Sequence, residues 1–187
     1  MGAFRGSGLE LGASCLGTAI EQPAKLAVGR LCDAAAALIM GIYRCSFEGQ
    51  GPMRLEALAN DCRNCEDSIE LLLFRDETGI QRLDWAELLP LLHDQQISPA
   101  YRAAVFYNSL ADAAVRQAVI LREKYPFSAV GLTGGVFQNR WLAERIVNRL
   151  SALDIPVYLP AKTPCNDGGL SFGQVVEWTA RGLHGLS

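Results

Sequence analysis

Ala129-Val130-Gly131-Leu132-Thr133-Gly134-Gly135-Val136-Phe137-Gln138-Asn139-Arg140 is the stretch on which the reading of this chain turns. The apolar run from Phe127 to Leu132 has the length and content of a buried strand. It ends in Gly134-Gly135, where the backbone is free to take φ > 0 or to approach a ligand with no Cβ in the way. Trp141, Leu142, Arg145, Ile146, Arg149 and Leu150 then recur at helical spacing. The stretch predicts a strand, a glycine turn and a helix whose N-terminus faces the turn. The free N–H groups and partial positive charge of such a terminus suit a phosphate. The device returns downstream: Ile155 to Leu159 reads as a strand, Cys165-Asn166-Asp167-Gly168-Gly169 as a polar glycine turn, and Leu170 to Arg181 as a helix. Two such units in tandem imply adjacent parallel strands with both turns at one sheet edge, where α/β proteins bind ligands. A lone Gly-Gly turn is ordinary connecting geometry. Two turns, each with a polar side chain (Asn139 and Asp167), point towards a ligand.

The chain has 187 residues, enough for one proper core, with 50% hydrophobic and 20% charged residues. A net charge of −3 supplies no basic surface for phosphate-held nucleic acid. No apolar run approaches the ~20 residues of a membrane span, and no basic-then-apolar segment opens the chain. Six scattered cysteines do not form a small disulfide framework, and reduced thiols in the cytoplasm are the expectation.

Met1 to Gly17, glycine-rich with little periodicity, reads either as a strand entering the domain or as a truncation edge. Lys25 to Tyr43 reads as a helix with Leu31, Ala35, Leu38 and Ile42 on one face. Asp33 interrupts that pattern, and a first-turn acid favoured by the helix dipole is its plain explanation. Phe47-Glu48-Gly49-Gln50-Gly51-Pro52 is a turn into a helix from Met53 to Cys62, with Pro52 suited to its first turn. Cys62-Arg63-Asn64-Cys65 has the spacing of half a zinc site or a redox pair, but no second pair accompanies it, and unpaired thiols are the simpler reading. Ser68–Arg75 and Gly79–Leu83 flank a hairpin turn. Trp85 to His93 is a short helix, and Ser98-Pro99 opens a long one to about Lys124, with Ala104, Leu110, Ala114, Ala118 and Leu121 near one stripe. His93 and His184 are isolated and read as surface or helix-end residues.

Leu132 to Arg140, followed by Asn166-Asp167-Gly168-Gly169-Leu170-Ser171-Phe172-Gly173-Gln174, resembles the C-terminal end of the hydrogenase-maturation carbamoyltransferases, the HypF family. Gly29-Arg30-Leu31-Cys32-Asp33-Ala34 and Phe47-Glu48-Gly49-Gln50 resemble two further signatures of that family, in family order. The resemblance spans about Val28 to Gly182. It implies an α/β fold: the C-terminal lobe of an actin-like (ASKHA, ribonuclease H-like) Kae1-like domain, a small mixed sheet covered by helices. Residues 1–24 would be an extension or truncation edge and 25–187 the lobe.

In chemistry, the resemblance implies a carbamoyl group passing from carbamoyl adenylate, made from ATP and carbamoyl phosphate, to the C-terminal cysteine of a partner maturation protein. The group then becomes a cyanide ligand of nickel–iron hydrogenase. By the same resemblance Asp33, Glu48, Gly49, Gly134, Gly135, Asn139 and Gly168 match the nucleotide site, and Asp167 a metal-holding aspartate. A single carboxylate does not hold a catalytic ion. The family's HxxxH pair comes from a segment this chain lacks, so a divalent metal is expected only when a histidine-bearing half is supplied.

The chain departs from the family pattern at four places. Leu26-Ala27 stand for two serines, Cys32 for phenylalanine, Arg54 for an acidic residue, and Phe106-Tyr107 for a Phe-His pair. Lost hydroxyls and an inverted charge weaken a phosphate or ribose site. Two functions follow: a transferase lobe active with a missing N-terminal half, or a non-catalytic paralogue serving as a nucleotide- or protein-binding module. A face meant for another lobe also predicts self-association, through an apolar patch or an exchanged element.

Overall fold

The computed structural model describes residues 28–184. The expected extension, residues 1–24, and the helix start at Lys25 lie outside them. Helix α1 is Val28–Met40, α2 is Gln50–Ala59, and a 3-10 turn, Asn60–Cys62, extends α2. The helix expected from Met53 starts three residues earlier, because Gly49 at φ +81° turns the chain and leaves Pro52 inside the first turn. Strands β1 (Leu73–Arg75) and β2 (Gln81–Leu83) form the expected antiparallel hairpin. The helix expected over Trp85–His93 is split into a 3-10 turn, Ala86–Leu88, and α3 (Leu89–His93). Helix α4 runs from Pro99 to Lys124.

Helix α4 is the centre of the core. From Arg102 to Ala111 every residue is buried, so the stripe expected along it holds only for its C-terminal half. The first half is wedged among α1, α2 and α3, and meets a further helix on its remaining side. Alanines at 103, 104 and 111 let those neighbours approach closely, while Phe106 and Tyr107 fill the gaps edge-to-face, centroids 5.2 Å apart. Each fully buried large apolar side chain here contributes about 1.5–3 kcal/mol.

Strand β3 (Val130–Gly131) pairs in parallel with β4 (Val157–Tyr158), with Val130 opposite Val157 and Gly131 opposite Tyr158. This is the adjacency and direction that the tandem units imply. The ladder is shorter than the apolar runs, Phe127–Leu132 and Ile155–Leu159, because Pro156 and Pro160 bracket β4 and have no N–H to donate. Helix α5 (Arg140–Ala152) packs on α4 and β4, which places the glycine turns between the strands and their helices. Helix α6 (Leu170–His184) closes the described chain. Among the described residues no helix is long and apolar enough to cross a membrane. The five cysteines there are free thiols, Cys62 and Cys65 included.

The hairpin turn carries its own pH dependence. Asp76 accepts from Thr78 Oγ1 and from the N–H groups of Thr78 and Ile80, and pairs with Arg82. The Thr78 bond first, then Arg82 and the Ile80 N–H, favour the carboxylate and hold its pKa down at about 2. Its folded value lies below the unfolded one of about 3.9, so the turn's stabilisation is present above that value and lost as pH falls towards 2. Amide exchange at Thr78 and Ile80 is expected to accelerate across that window, and in Asp76→Asn to be fast at neutral pH. Unchanged protection in the variant would remove the carboxylate from the account.

Candidate functional site

The site is built where β3 and β4 end. Gly134 has φ +111° and ψ 154°, a conformation closed to residues with a Cβ. That bend aims its N–H across the gap: it donates to the Cys165 carbonyl at 2.6 Å, and the Thr133 hydroxyl donates to the same oxygen at 3.4 Å. The two glycine turns are thereby tied together. Gly135 lies against Asn166: a Cβ added to it would stand 3.8 Å from the Asn166 Cβ. In the second turn the Asn166 side chain accepts from Gly168 N at 3.1 Å, and Gly169 is required sterically, since an added Cβ would stand 2.7 Å from the Pro164 carbonyl oxygen.

The expected anion site at the start of α5 is not open. Glu56, on α2, accepts from the N–H groups of Arg140 and Trp141 at 2.7 and 3.3 Å. Asn139, at the N-cap, accepts from Leu142 N at 2.8 Å. Carboxylate and amide fill the helix end, so a phosphate gains nothing from these N–H groups, and Glu56 repels it. The donors left are the N–H groups of Gly135 and Val136, which open the 3-10 turn Gly135–Gln138 and have no partner among the described residues.

The expected site residues fall into two groups. Gly134, Gly135, Asp167 and Gly168 share the joined turns, and Asn139 sits behind them as a cap, 9% exposed. Asp33, Glu48 and Gly49 lie at the α1–α2 junction. Asp33 is the sixth residue of α1 rather than a first-turn acid, and its Oδ1 lies beside Gly51 in the first turn of α2, where the next helix's dipole favours it. Glu48 is exposed, and Gly49 caps α2 in the left-handed region. The two groups are neighbours because α1 packs against the Gly135–Gln138 turn. No hydrogen bond joins them among the described residues.

Asp167 stands exposed at the start of its turn, and among the described residues no three of His, Cys, Asp and Glu gather as metal ligands. One carboxylate with no companion does not fit a resident ion.

Behind the turns lies a buried layer that sequence reasoning missed. Tyr107 is fully buried, donates to the Pro52 carbonyl at 3.3 Å and has the Asn139 side chain beside its oxygen. Burial foremost, with Cys32 and Glu56 adding, pushes its pKa up out of the ordinary range. Burial, then Asp33 and Glu56, pushes the Cys32 thiol up to about 12, so it stays protonated and is no nucleophile. Asn108 donates to the carbonyls of Cys65 and Asp67 and accepts from Trp141 Nε1. A separate polar cleft of about 580 Å³ runs between α2 and α5, with Glu56, Arg63, Glu66, Arg140, Arg145 and Arg149 among its walls. Its guanidiniums at 140, 145 and 149 are paired with Glu144, Glu66 and Asp112, and none of the expected site residues lines it.

Residues 9–174 match the family model described as the carbamoyltransferase Kae1-like domain, second subdomain. The chain is 37% identical over 164 residues to the carbamoyltransferase HypF of Rhodobacter capsulatus, covering 87% of this chain and 21% of that one. It is 31% identical over 173 residues to the carbamoyltransferase HypF homolog of Cupriavidus necator, covering 90% and 43%. Against the crystal structure of full-length HypF in the phosphate- and nucleotide-bound form, it superposes with a TM-score of 0.75 at 31% identity, covering 90% of this chain and 22% of the other. The chain thus spans about a fifth of one curated relative and less than half of the other. Its helices around small sheets are the actin-like α/β lobe that the motifs imply. The joined glycine turns, the order of the motifs and the superposition lead to one assignment: this chain belongs to the HypF carbamoyltransferase family and carries the second subdomain of its Kae1-like domain.

Proposed function

We propose that this chain is the second lobe of a cytoplasmic carbamoyltransferase of hydrogenase maturation. In this reading it forms one wall of a site for ATP or carbamoyl adenylate. From that site a carbamoyl group passes to the C-terminal cysteine of a partner maturation protein. A complementary half supplies the opposite wall and the histidines that Asp167 lacks.

The observation that carries this reading is the junction of the two turns, Gly134 N on the Cys165 carbonyl, at the C-terminal ends of two parallel strands. Ligands of open α/β sheets bind at that edge. In the transfer the acceptor thiolate forms a bond to the carbamoyl carbon, and the adenylate's phosphate oxygen leaves. This chain's part is to hold. In this reading Gly135 and Val136 offer N–H groups to phosphate oxygens, and Asp33 and Glu48 accept from ribose or base. Cys32 and Tyr107 stay protonated and support the wall from within. A metal belongs to the reading only with the complementary half present. The second reading, a nucleotide- or protein-binding paralogue without catalysis, draws on the isolation of Asp167.

Calorimetric titration with a non-hydrolysable ATP analogue tests the proposal, on the chain alone and with the preceding portion of the Rhodobacter relative added as a separate polypeptide. Binding is expected to strengthen at least about tenfold when the complement is added. Binding without carbamoyl transfer to a cysteine-ended acceptor peptide would favour the paralogue. No binding under either condition would sink both nucleotide readings.

A further inference from the structure

Cys62 and Cys65 close the turn that follows α2. The 3-10 turn Asn60–Cys62 ends at the first, and the N–H of Cys65 donates to the Cys62 carbonyl at 3.0 Å. A bond of that kind, from residue i+3 back to residue i, brings the outer Cα atoms within about 7 Å of each other. A disulfide spans about 4.4–6.8 Å between Cα atoms, so the backbone holds the two residues within reach of a bridge. The side chains converge as well: Cys65 has the Cys62 side chain beside its sulfur.

The two sulfurs differ in access. Cys65 is 8% exposed, whereas Cys62 is half-buried. Burial foremost, against an N–H bond from Asp67, pushes the Cys65 thiol up, so it keeps its proton and is the slower nucleophile. The Cys65 carbonyl accepts from Asn108 Nδ2 at 3.0 Å and from an Arg145 guanidinium nitrogen at 2.7 Å. A turn clamped in this way to α4 and α5 keeps its thiols facing each other. Both thiols and their clamp belong to this chain, so the pair is complete without a further segment.

We propose that Cys62 and Cys65 are a redox site, a dithiol converted to an intramolecular disulfide by exchange with a low-molecular-weight disulfide of the glutathione type. Cys62, deprotonated, attacks one sulfur of the small disulfide. The S–S bond breaks, and one thiolate leaves with the electron pair. Cys65 then gives its proton to water and attacks the Cys62 sulfur, which releases the second thiolate. The two leaving thiolates take up the two protons. Two cysteine thiols thus lose two electrons, and one small disulfide becomes two small thiols. The site stands apart from the carbamoyl transfer and does not rest on it.

The test is incubation of the full chain in glutathione buffers of fixed thiol and rising disulfide concentration, with free thiols then alkylated and the peptides mapped by mass spectrometry. A 62–65 disulfide is expected. In the folded chain it forms at a glutathione disulfide concentration at least about tenfold lower than in the same chain in urea, because the turn presents the thiols to each other. Cys65→Ser is expected to stop at a glutathione adduct on Cys62. In Cys62→Ser the adduct on Cys65 forms at least about tenfold more slowly. Circular dichroism establishes that each variant is folded, with Cys65→Ala and Cys62→Ala used where the serine is not tolerated. A folded chain that never links Cys62 to Cys65, or links them no more readily than the unfolded chain, overturns the proposal. So does an adduct that forms on Cys65 of one variant as fast as on Cys62 of the other.

Discussion

Replacing Asn108 with alanine is expected to lower the unfolding free energy by about 3–5 kcal/mol, the scale for a buried polar residue whose partners are left unsatisfied in a close-packed core. Asn108 is wholly buried and uses both ends of its amide. Its Nδ2 donates to the Cys65 and Asp67 carbonyls at 3.0 and 2.9 Å, and its Oδ1 accepts from Trp141 Nε1 at 3.1 Å. Its backbone carbonyl accepts from Arg149, so the 65–67 stretch and helix α5 converge on one residue of α4. Alanine would strand an indole N–H and two carbonyls away from water, each costing about 1–3 kcal/mol less whatever relaxation recovers. Urea unfolding followed by Trp fluorescence measures the loss. A change under about 1 kcal/mol would mean that water replaces the amide and that the site is less closed than its burial indicates. Asn108→Asp is expected to be as damaging, because a carboxylate cannot donate to the two carbonyls.

Gly134→Ala is expected to cost about 1–3 kcal/mol, and the loss falls on the site rather than on the core. A Cβ meets no atom within 4 Å there, so the strain comes from φ +111° alone. The backbone relieves it by turning the peptide, which withdraws Gly134 N from the Cys165 carbonyl and parts the two turns. Nucleotide affinity in the complemented transferase is expected to fall at least about tenfold, the equivalent of about 1.4 kcal/mol. The two readouts separate the roles. Lost stability with affinity intact would make the junction a structural clasp and move the nucleotide elsewhere. Lost affinity with little change in unfolding supports the site.

Much of this architecture was legible along the chain because it is local. Helical spacing from Trp141 to Leu150 and glycines after two apolar runs require only neighbours in sequence to take effect. The βα rule then makes the strands parallel and puts both turns at one edge. Even the shortness of the ladder is written in Pro156 and Pro160, two residues that cannot donate to it.

The ends of the elements were decided by tertiary packing. The start of α5 read as an anion site because a helix terminus offers free N–H groups. Glu56 occupies two of them from 84 and 85 positions earlier in the chain. No periodicity marks that carboxylate as a cap: its own helix shows an ordinary half-buried glutamate, and only the packing of α2 beside α5 supplies the partner. Asn108 is invisible in the same way, a polar residue in a helix whose three side-chain partners come from two other segments. The all-round burial of the first half of α4 also depends on how many helices surround it, which its own sequence does not count. Helix α6 shows a related case: the sequence marks its extent, but its apolar residues Phe172, Val175 and Val176 are exposed among the described residues. Sequence pattern determines which face of an element is apolar, because that is a property of neighbouring residues. What meets that face, or fills that helix end, depends on where distant segments cross it, and this is decided only when the chain is packed.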